Sequence, residues 1–322
     1  MIQKVQLQNI KVFQKYGLLA LKISIILGAW WYVFYKITSM PHDALLIYNN
    51  PNFSYYTIVF VIILMVANWI LEARKWQYLA QKIQPISLYT SIRAVCAGMP
   101  LALVTPNRVG EIGGRSIVLQ NHKKKTMLAT LLGSIIQLVT TIMFGIVGFF
   151  LYIVFAKPTG IINNAGYVAS IVFVISIILY FVIMQSHSIT RIIKKILGRH
   201  TFVSIIKTYR MYSYTDKLIV LLYSIARYII FSGQFMILTH MLIPEMSYIE
   251  LCTSVFLTYF FTTAIPTSVM GEIGIRGSVA MVVFGMFTTH VITVFQISML
   301  LWVINIAIPT AWGSYILLSY KK

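Results

Sequence analysis

The sequence predicts an all-α polytopic membrane protein with six spanning helices, two re-entrant helical hairpins and an inverted two-fold repeat. Apolar residues make up 59% of the 322-residue chain and charged residues only 10%, and the mean hydropathy is +0.82. A soluble domain of this length needs more charge to keep its surface solvated. Several apolar stretches also reach the roughly 20 residues that cross a bilayer. Finally, the tetrapeptide Gly-Glu-Ile-Gly occurs twice, which indicates a repeat.

Six apolar stretches are long enough to be spanning helices. Each is bounded by polar or basic residues, and each approaches or exceeds the length that hydrocarbon thickness requires. The predicted spans cover residues 16–37, 55–73, 127–155, 167–184, 217–242 and 289–318.

The repeated tetrapeptide sits in a longer repeated pattern. The two copies are Gly110–Gly113 and Gly271–Gly274. Pro106 precedes the first copy and Pro266 the second. After one intervening residue, each copy is followed by an arginine, Arg115 in the first case and Arg276 in the second. The copies are 161 residues apart, which is half of 322. We therefore predict a single transmembrane domain, 1–322, made of two related halves (1–161 and 162–322), an organisation common among transporters.

Each motif lies between two apolar stretches that do not fit the pattern of the six spanning helices. Residues 88–105 and 250–265 lead into the motifs, and short helices, about 114–121 and 276–287, are expected to follow them. Irregular backbone at membrane depth is tolerated where it is buried in protein or lines a polar cavity. The sequence thus predicts re-entrant hairpins over 88–121 and 250–287. The alternative is that each hairpin is a pair of thin spanning helices, which gives ten crossings.

The distribution of basic residues orients the chain. The N-terminus, residues 74–125, residues 191–217 and the C-terminus hold three, nine, seven and two Lys or Arg residues, 21 of the 26. The positive-inside rule places these segments in the cytoplasm, so both termini are predicted inside, in the plasma (inner) membrane. The formal charge of +19 does not indicate nucleic-acid binding, because spans interrupt the basic residues.

This orientation predicts that the two halves are inverted. Each half contains three spans and one hairpin, and an odd number of spans reverses the second half in the membrane. The first hairpin then enters from the cytoplasmic side and the second from outside. Their motif tips are predicted to approach one another near the middle of the bilayer.

Each motif combines a carboxylate and a guanidinium on one helix face. Glu111 and Arg115 are four residues apart, as are Glu272 and Arg276, and a glutamate preceding its partner by four residues is the favourable order. One interpretation is structural, because intramembrane charges pair to avoid the cost of an isolated ion. Each Glu–Arg pair would then only hold its hairpin together.

The other interpretation is an anion site. Arginine matches phosphate oxygens with a planar fork, and a helix that begins after Pro and Gly presents free N–H groups to an anion. Glycines also let a ligand approach the backbone. The candidate ligand-binding residues are Arg115, Arg276, Gly110, Gly113, Gly271, Gly274, Arg108 and Arg227. Glu111 and Glu272 are candidates for gating or proton transfer.

Arg227 is a candidate because it lies about ten residues inside the fifth predicted span, and an intramembrane arginine is functional by default. Alternatively, it is a buried partner of Glu111 or Glu272. Asn68, Glu72 and Arg74 are placed near the cytoplasmic end of the second span.

The sequence contains no catalytic motif that we recognise. Asp43 and Asp216 are its two aspartates, so a DxD metal–nucleotide motif is impossible. The six histidines lack metal-ligand spacing, and no P-loop or GxSxG pattern occurs. We therefore expect no enzyme activity, no metal and no cofactor.

Two segments resemble a known family. Asn68-Trp69, Arg74-Lys75-Trp76 and Pro106–Glu111 with Arg115 resemble the first signature of the lysylphosphatidylglycerol synthase transmembrane region, also called the flippase-like family; Pro266–Ser268 and Gly271–Arg276 resemble the second. The resemblance extends over essentially the whole chain. It implies an integral membrane protein that moves phospholipids or lipid-linked precursors between leaflets. The family shows a glycine where this chain has Glu272 and a glutamate where it has Gly277.

The fused synthases of that family also carry a soluble aminoacyl-transferase domain, for which this sequence shows no candidate, so lysine transfer is not carried over. The predicted function is transport of an anionic phospholipid or polyprenyl-phosphate-linked lipid, with the bilayer and that lipid as partners. Two alternatives are a membrane-embedded transferase acting on lipid-linked substrates and an accessory membrane subunit of a soluble lipid-modifying enzyme. The missing DxD pattern argues against the transferase.

Overall fold

The structure is a computed structural model that describes residues 50–105, 108–119, 122–155, 211–265 and 269–319, together with Trp31 and Tyr35. The elements in these ranges are helices. They are α1 (Tyr55–Gln81), α2 (Leu88–Val104), α3 (Gly110–Val118), α4 (Lys123–Phe155), α5 (Tyr214–Leu242), α6 (Tyr248–Ala264), α7 (Val269–Phe284), α8 (Val291–Trp302), a π-helical turn (Val303–Ala307) and α9 (Ile308–Ser319).

Within the described residues, four helical segments are long and apolar enough to cross a membrane. They are α1, α4, α5 and the 29-residue segment Val291–Ser319, which comprises α8, the π turn and α9. They coincide with the second, third, fifth and sixth predicted spans and confirm an α-helical membrane protein. The predicted spans 16–37 and 167–184 lie outside the described residues, apart from Trp31 and Tyr35.

The end of α1 differs from the prediction. The second span was predicted to end at residue 73, but α1 continues to Gln81. Sequence reasoning treated Glu72 as the water boundary, whereas its carboxylate is buried and paired with basic side chains. Apolar side chains cover the outside of the same helix; Val59, Phe60 and Ile63 are exposed, as expected of a surface that contacts lipid.

Each predicted hairpin contains two helices that pack together, α2 with α3 and α6 with α7. The predicted short helices at 114–121 and 276–287 begin earlier, at Gly110 and Val269. Both Gly-Glu-Ile-Gly motifs therefore lie within helices, not before them. The preceding prolines, Pro106 and Pro266, lie outside the described residues.

Helices α1 and α5 pack antiparallel along their whole length. Near one end, the amide of Asn50 donates to the Leu242 carbonyl at 3.3 Å. In the middle, Gln234 Nε2 donates to the Val61 carbonyl at 2.8 Å. At the other end, Tyr78 donates to Asp216 at 2.6 Å. Along this row of contacts, residue numbers rise in α1 and fall in α5. The two helices therefore run in opposite directions.

Glycines permit two close crossings between spans and hairpin arms. A Cβ at Gly148 of α4 would lie 2.9 Å from Phe256 Cβ of α6. A Cβ at Gly313 of α9 would overlap the Cys96 carbonyl oxygen of α2. Thus α4 packs closely on α6, and α9 packs closely on α2.

Local sequence explains where several helices begin. Ser213 and Asp216 form a reciprocal capping box at the start of α5, and Ser247 and Glu250 form one at the start of α6. Each box satisfies two backbone N–H groups that the helix leaves unpaired. The π turn immediately precedes Ile308-Pro309, and Pro309 has no N–H to continue the regular ladder.

Candidate functional site

A polar cavity of about 510 Å³ lies between the two motif-bearing helix pairs and the central spans. Its volume falls within the range of small-molecule sites. Both helix pairs contribute to its wall, as do α1, α4, α5 and the π turn. The polar, charged and aromatic lining residues are Asn68, Trp69, Glu72, Lys75, Arg108, Glu111, Ser134, Gln137, Thr141, Arg227, Phe231, Tyr259, Thr263, Arg276 and Asn305.

Glu72 is the centre of an ion network beside this cavity. Lys75 Nζ lies 2.7 Å from Oε2 of Glu72, and Nη2 of Arg115 lies 2.7 Å from Oε1. Nη1 of Arg227 also donates to Oε2. These four side chains join α1, α3 and α5. The Glu72 carboxylate offsets part of the cost of burying these cations, since an isolated buried ion would cost several kcal/mol.

Arg227 is held by more than the carboxylate of Glu72. Its Nε donates to Asn68 Oδ1 at 3.0 Å, and its Nη1 donates to Gln137 Oε1 at 3.2 Å. Its guanidinium carbon lies 6.0 Å from the centre of the Trp69 ring. The partner of Arg227 is thus Glu72 and not Glu111 or Glu272, the partners considered from sequence.

The first motif forms its predicted Glu111–Arg115 pair. Arg115 is buried, however, and divides its guanidinium between Glu111 and Glu72. The side chain of Glu111 lines the cavity, whereas that of Arg115 lies behind it. The predicted phosphate ligand in this motif is therefore paired with two carboxylates through Nη2 and does not line the cavity.

The glycines of the first motif differ in role. A Cβ at Gly110 would overlap the Leu101 carbonyl oxygen, so this glycine permits helix packing and not ligand approach. The N–H of Gly110 is also not free as predicted, because it donates to Thr105 Oγ1 at 2.6 Å. Gly113 faces open space, with nothing within 4 Å of a built Cβ. Of these two, Gly113 has free space beside it, although it does not line the cavity.

The second motif also forms its predicted pair, with Arg276 Nη2 2.9 Å from Glu272 Oε1. Here the arginine lines the cavity and is 28% exposed, while Glu272 is 8% exposed. Gly274 is buried, and the surroundings of Gly271 lie outside the described residues. The two motifs are therefore chemically alike but differ in which member faces the cavity.

Arg108 projects into the cavity from the break between α2 and α3. Its backbone is left-handed, with φ at 57°, a conformation that costs a side-chain-bearing residue roughly 1–2 kcal/mol. Among the described residues no carboxylate lies within ion-pair distance of it, yet it is in electrostatic range of both Glu111 and Glu272. Arg108 thus connects the two motifs electrostatically.

The charges around the cavity do not balance. Five basic side chains lie in or directly behind its wall: Lys75, Arg108, Arg115, Arg227 and Arg276. Three carboxylates do so: Glu72, Glu111 and Glu272. Five positive against three negative charges leave two positive charges uncompensated. In a low-dielectric surrounding such a surplus attracts an anion strongly.

Sequence reasoning placed the motif residues, Arg108 and Arg227 near the site but missed part of the wall. Lys75 and Gln137 bond to each other at 3.2 Å, and Asn305, Tyr259 and Thr263 line the cavity. A usable signal existed for Lys75, which follows Glu72 by three residues in an apolar helix. No comparable signal marks Asn305, which lies alone in the last span. No group of three potential metal ligands occurs in the described parts of the chain.

Comparison with protein-family models, with curated proteins and with solved structures finds no match for this chain.

Proposed function

We propose that this protein is a lipid transporter of the plasma (inner) membrane that moves an anionic phospholipid or polyprenyl-phosphate-linked lipid between leaflets. The observation that carries the proposal is the cavity with two surplus positive charges, lined by Arg108 and Arg276 from opposite helix pairs. A phosphate is the anion that paired guanidinium groups suit best. The resemblance of both motif segments to the flippase-like family supports the same conclusion.

The architecture we propose has six spans, two re-entrant hairpins and inverted halves, with both termini in the cytoplasm. The antiparallel packing of α1 and α5, which occupy the same place in each half, supports inversion. So does the exchange of contacts, in which α4 packs on the second hairpin and α9 on the first. An inverted pair of halves around one central site is one arrangement on which alternating-access transporters are built.

In the mechanism, the headgroup enters the cavity while the acyl chains remain in lipid. The halves then rock around the hairpins, so that the cavity opens to each side in turn. Arg108 and Arg276 hold the phosphate. Arg115 acts as a positioning residue that fixes Glu111 and Glu72, because it does not face the cavity. Glu111, at the wall and tied to Arg115, and Glu272, tied to Arg276, gate the site.

The test is leaflet-resolved transport in proteoliposomes. Purified protein is reconstituted with fluorescent phosphatidylglycerol, and the accessible fraction is measured by chemical quenching from outside. We expect Arg276→Gln and Arg108→Gln each to slow transport about 10–100-fold, the equivalent of the roughly 1.5–3 kcal/mol of a charge-assisted hydrogen bond.

Arg74→Gln is the matched control, since Arg74 lies on α1 but is exposed and does not line the cavity. It should transport at the wild-type rate. Wild-type rates no faster than those of empty liposomes would overturn the proposal. Free glycerol phosphate should compete weakly; if it bound as tightly as the lipid, the cavity would instead serve a water-soluble phosphate ester.

A further inference from the structure

The cavity also carries information on the headgroup beyond its phosphate, and this step rests on the proposed function. A headgroup with an ammonium group, such as ethanolamine, serine or a lysyl ester, needs an uncommitted carboxylate. The chain has seven acidic residues, of which all except Asp43 are described. Asp216, Glu245 and Glu250 lie at helix ends away from the cavity.

The three remaining carboxylates are committed to the protein's own cations. Both oxygens of Glu72 are used, Oε1 by Arg115 and Oε2 by Lys75 and Arg227. Glu111 is paired with Arg115, and Glu272 with Arg276. An incoming ammonium group would therefore meet two surplus positive charges and would compete with these cations for every carboxylate of the cavity. Placing like charges together in this way is unfavourable.

The rest of the wall suits a neutral, hydroxylated group. Ser134, Gln137 and Thr141 lie on one face of α4 and line the cavity. On the opposite side, Asn305 projects from the π turn, a feature that often marks functional sites. Its Nδ2 donates to the Leu301 carbonyl at 3.2 Å, whereas its buried Oδ1 has no hydrogen-bond partner among the described residues.

An amide oxygen of this kind repels phosphate oxygens and accepts from a hydroxyl. Trp69 supplies the complementary group, because its buried Nε1–H has no partner in the described structure and can donate to a hydroxyl or phosphate oxygen. Leaving such groups unpaired is unfavourable. A ligand hydroxyl that satisfies them therefore gains affinity.

We propose that the transported headgroup is a phosphodiester of a neutral polyhydroxylated alcohol, such as glycerol or a sugar. Headgroups that carry an ammonium group are rejected. Asn305 is the residue that recognises a headgroup hydroxyl. The two surplus positive charges select the phosphate, and the Asn305 and Trp69 groups select the alcohol.

The experiment compares initial transport rates of three lipids in the same proteoliposomes. Phosphatidylglycerol has one negative charge and two hydroxyls; phosphatidylmethanol has the same charge and no hydroxyl; phosphatidylethanolamine has an ammonium group. We expect phosphatidylglycerol to move at least about tenfold faster than phosphatidylethanolamine, and about fivefold faster than phosphatidylmethanol, the equivalent of one neutral hydrogen bond.

Asn305→Ala should remove the preference for phosphatidylglycerol over phosphatidylmethanol and leave the discrimination against phosphatidylethanolamine unchanged. Ser314→Ala is the matched control, because Ser314 bonds to its own helix and does not line the cavity. Should Asn305→Ala fail to fold, Trp69→Phe, which removes the other unpartnered group of the cavity wall, gives the same readout.

The outcomes separate the two proposals. Equal rates for phosphatidylglycerol and phosphatidylethanolamine would overturn the headgroup inference but leave lipid transport standing. Equal rates for phosphatidylglycerol and phosphatidylmethanol would overturn the role of the hydroxyls. Transport of no lipid above the empty-liposome rate would overturn both proposals.

Discussion

The carboxylate of Glu72 accepts from three basic side chains that belong to three different helices. Each cation alone would be costly to bury, and the shared carboxylate offsets part of that cost for all three because each of them reaches it. This explains why residues that look in the sequence like the polar end of a span lie inside the protein. The charge pattern of a single helix does not reveal a partner that lies 155 residues away along the chain.

Replacing Glu72 is expected to destabilise the protein strongly. Glu72→Gln keeps the shape but leaves Lys75 and Arg227 buried without a counter-charge, and breaking a buried pair costs about 3–5 kcal/mol. Thermal unfolding in detergent measures the effect, with Arg74→Gln on the same helix as the control. Unfolding temperatures equal to wild type would show that water or lipid neutralises these cations instead.

The two motif pairs should respond differently to paired replacement. Glu272→Gln with Arg276→Met removes a self-contained pair and is expected to leave stability nearly unchanged, since a buried ion pair is often replaceable by packed neutral groups. Glu111→Gln with Arg115→Met also removes a partner of Glu72 and is expected to destabilise by a further 1–3 kcal/mol or so. Transport should be lost in the first double variant, because Arg276 faces the cavity.

The two double variants are compared by unfolding in detergent and by transport in proteoliposomes. The comparison shows whether each Glu–Arg pair holds its hairpin together or binds the headgroup. Transport by the Glu272/Arg276 double variant at the wild-type rate would mean that this pair only holds its hairpin.

At the scale of elements, α2 and α3 are held together by a glycine crossing. A Cβ at Gly114 would lie 2.7 Å from the Cα of Gly98 and 2.9 Å from the Ala97 carbonyl oxygen. Backbone atoms cannot retreat as a flexible side chain can, so the two helices would have to separate. The sequence showed the glycines of the motif but did not show which of them faces a helix and which faces open space.

Gly114→Ala and Gly113→Ala form a matched pair that tests this assignment. We expect Gly114→Ala to cost about 1–3 kcal/mol through overpacking, seen as a lower unfolding temperature. Gly113→Ala, where a Cβ meets open space, should leave folding unchanged or slightly improved. If Gly113 admits the headgroup, the same variant lowers the transport rate without lowering stability. Equal unfolding temperatures for the two variants would contradict the crossing.

Helix lengths were predicted well where apolar composition alone decides them and poorly where charges are buried. The starts of α4 and α5 and both ends of the last span agree with prediction to within a few residues. The end of α1 was wrong by eight residues because its polar face pairs inside the protein. The π turn could not be predicted, because Pro309 indicates a disturbed ladder but not its form.

At the scale of the whole molecule, the convergence of both motifs on one cavity agrees with the predicted meeting of their tips. That prediction needed only the repeat and the charge bias. The sequence alone did not show which arginines face the cavity, because Arg115 and Arg276 occupy equivalent places in the two copies of the motif. Only packing against Glu72, which has no counterpart in the second half, makes Arg115 unavailable.

The antiparallel packing of α1 and α5 makes a topology prediction that can be tested with residues in the described loops. The turn after α1 contains Gln84, and the turn after α5 contains Glu245. Because the end of α1 lies beside the start of α5, these two turns are at opposite ends of the helix pair. Basic residues concentrate near Gln84, so this turn is expected in the cytoplasm and Glu245 outside.

In a variant with Cys96 and Cys252 replaced by serine, a single cysteine at position 245 should react with a membrane-impermeant maleimide added to intact cells. A cysteine at position 84 should react only after the membrane is opened. Positions 160 and 200, which lie outside the described residues, are predicted to behave like 245 and 84 respectively. Labelling of 84 and 245 from the same side would overturn the antiparallel arrangement. Labelling on opposite sides, but with position 245 inside, would agree with the helix packing and show that the orientation is reversed. The orientation inferred from the positive-inside rule would then be wrong.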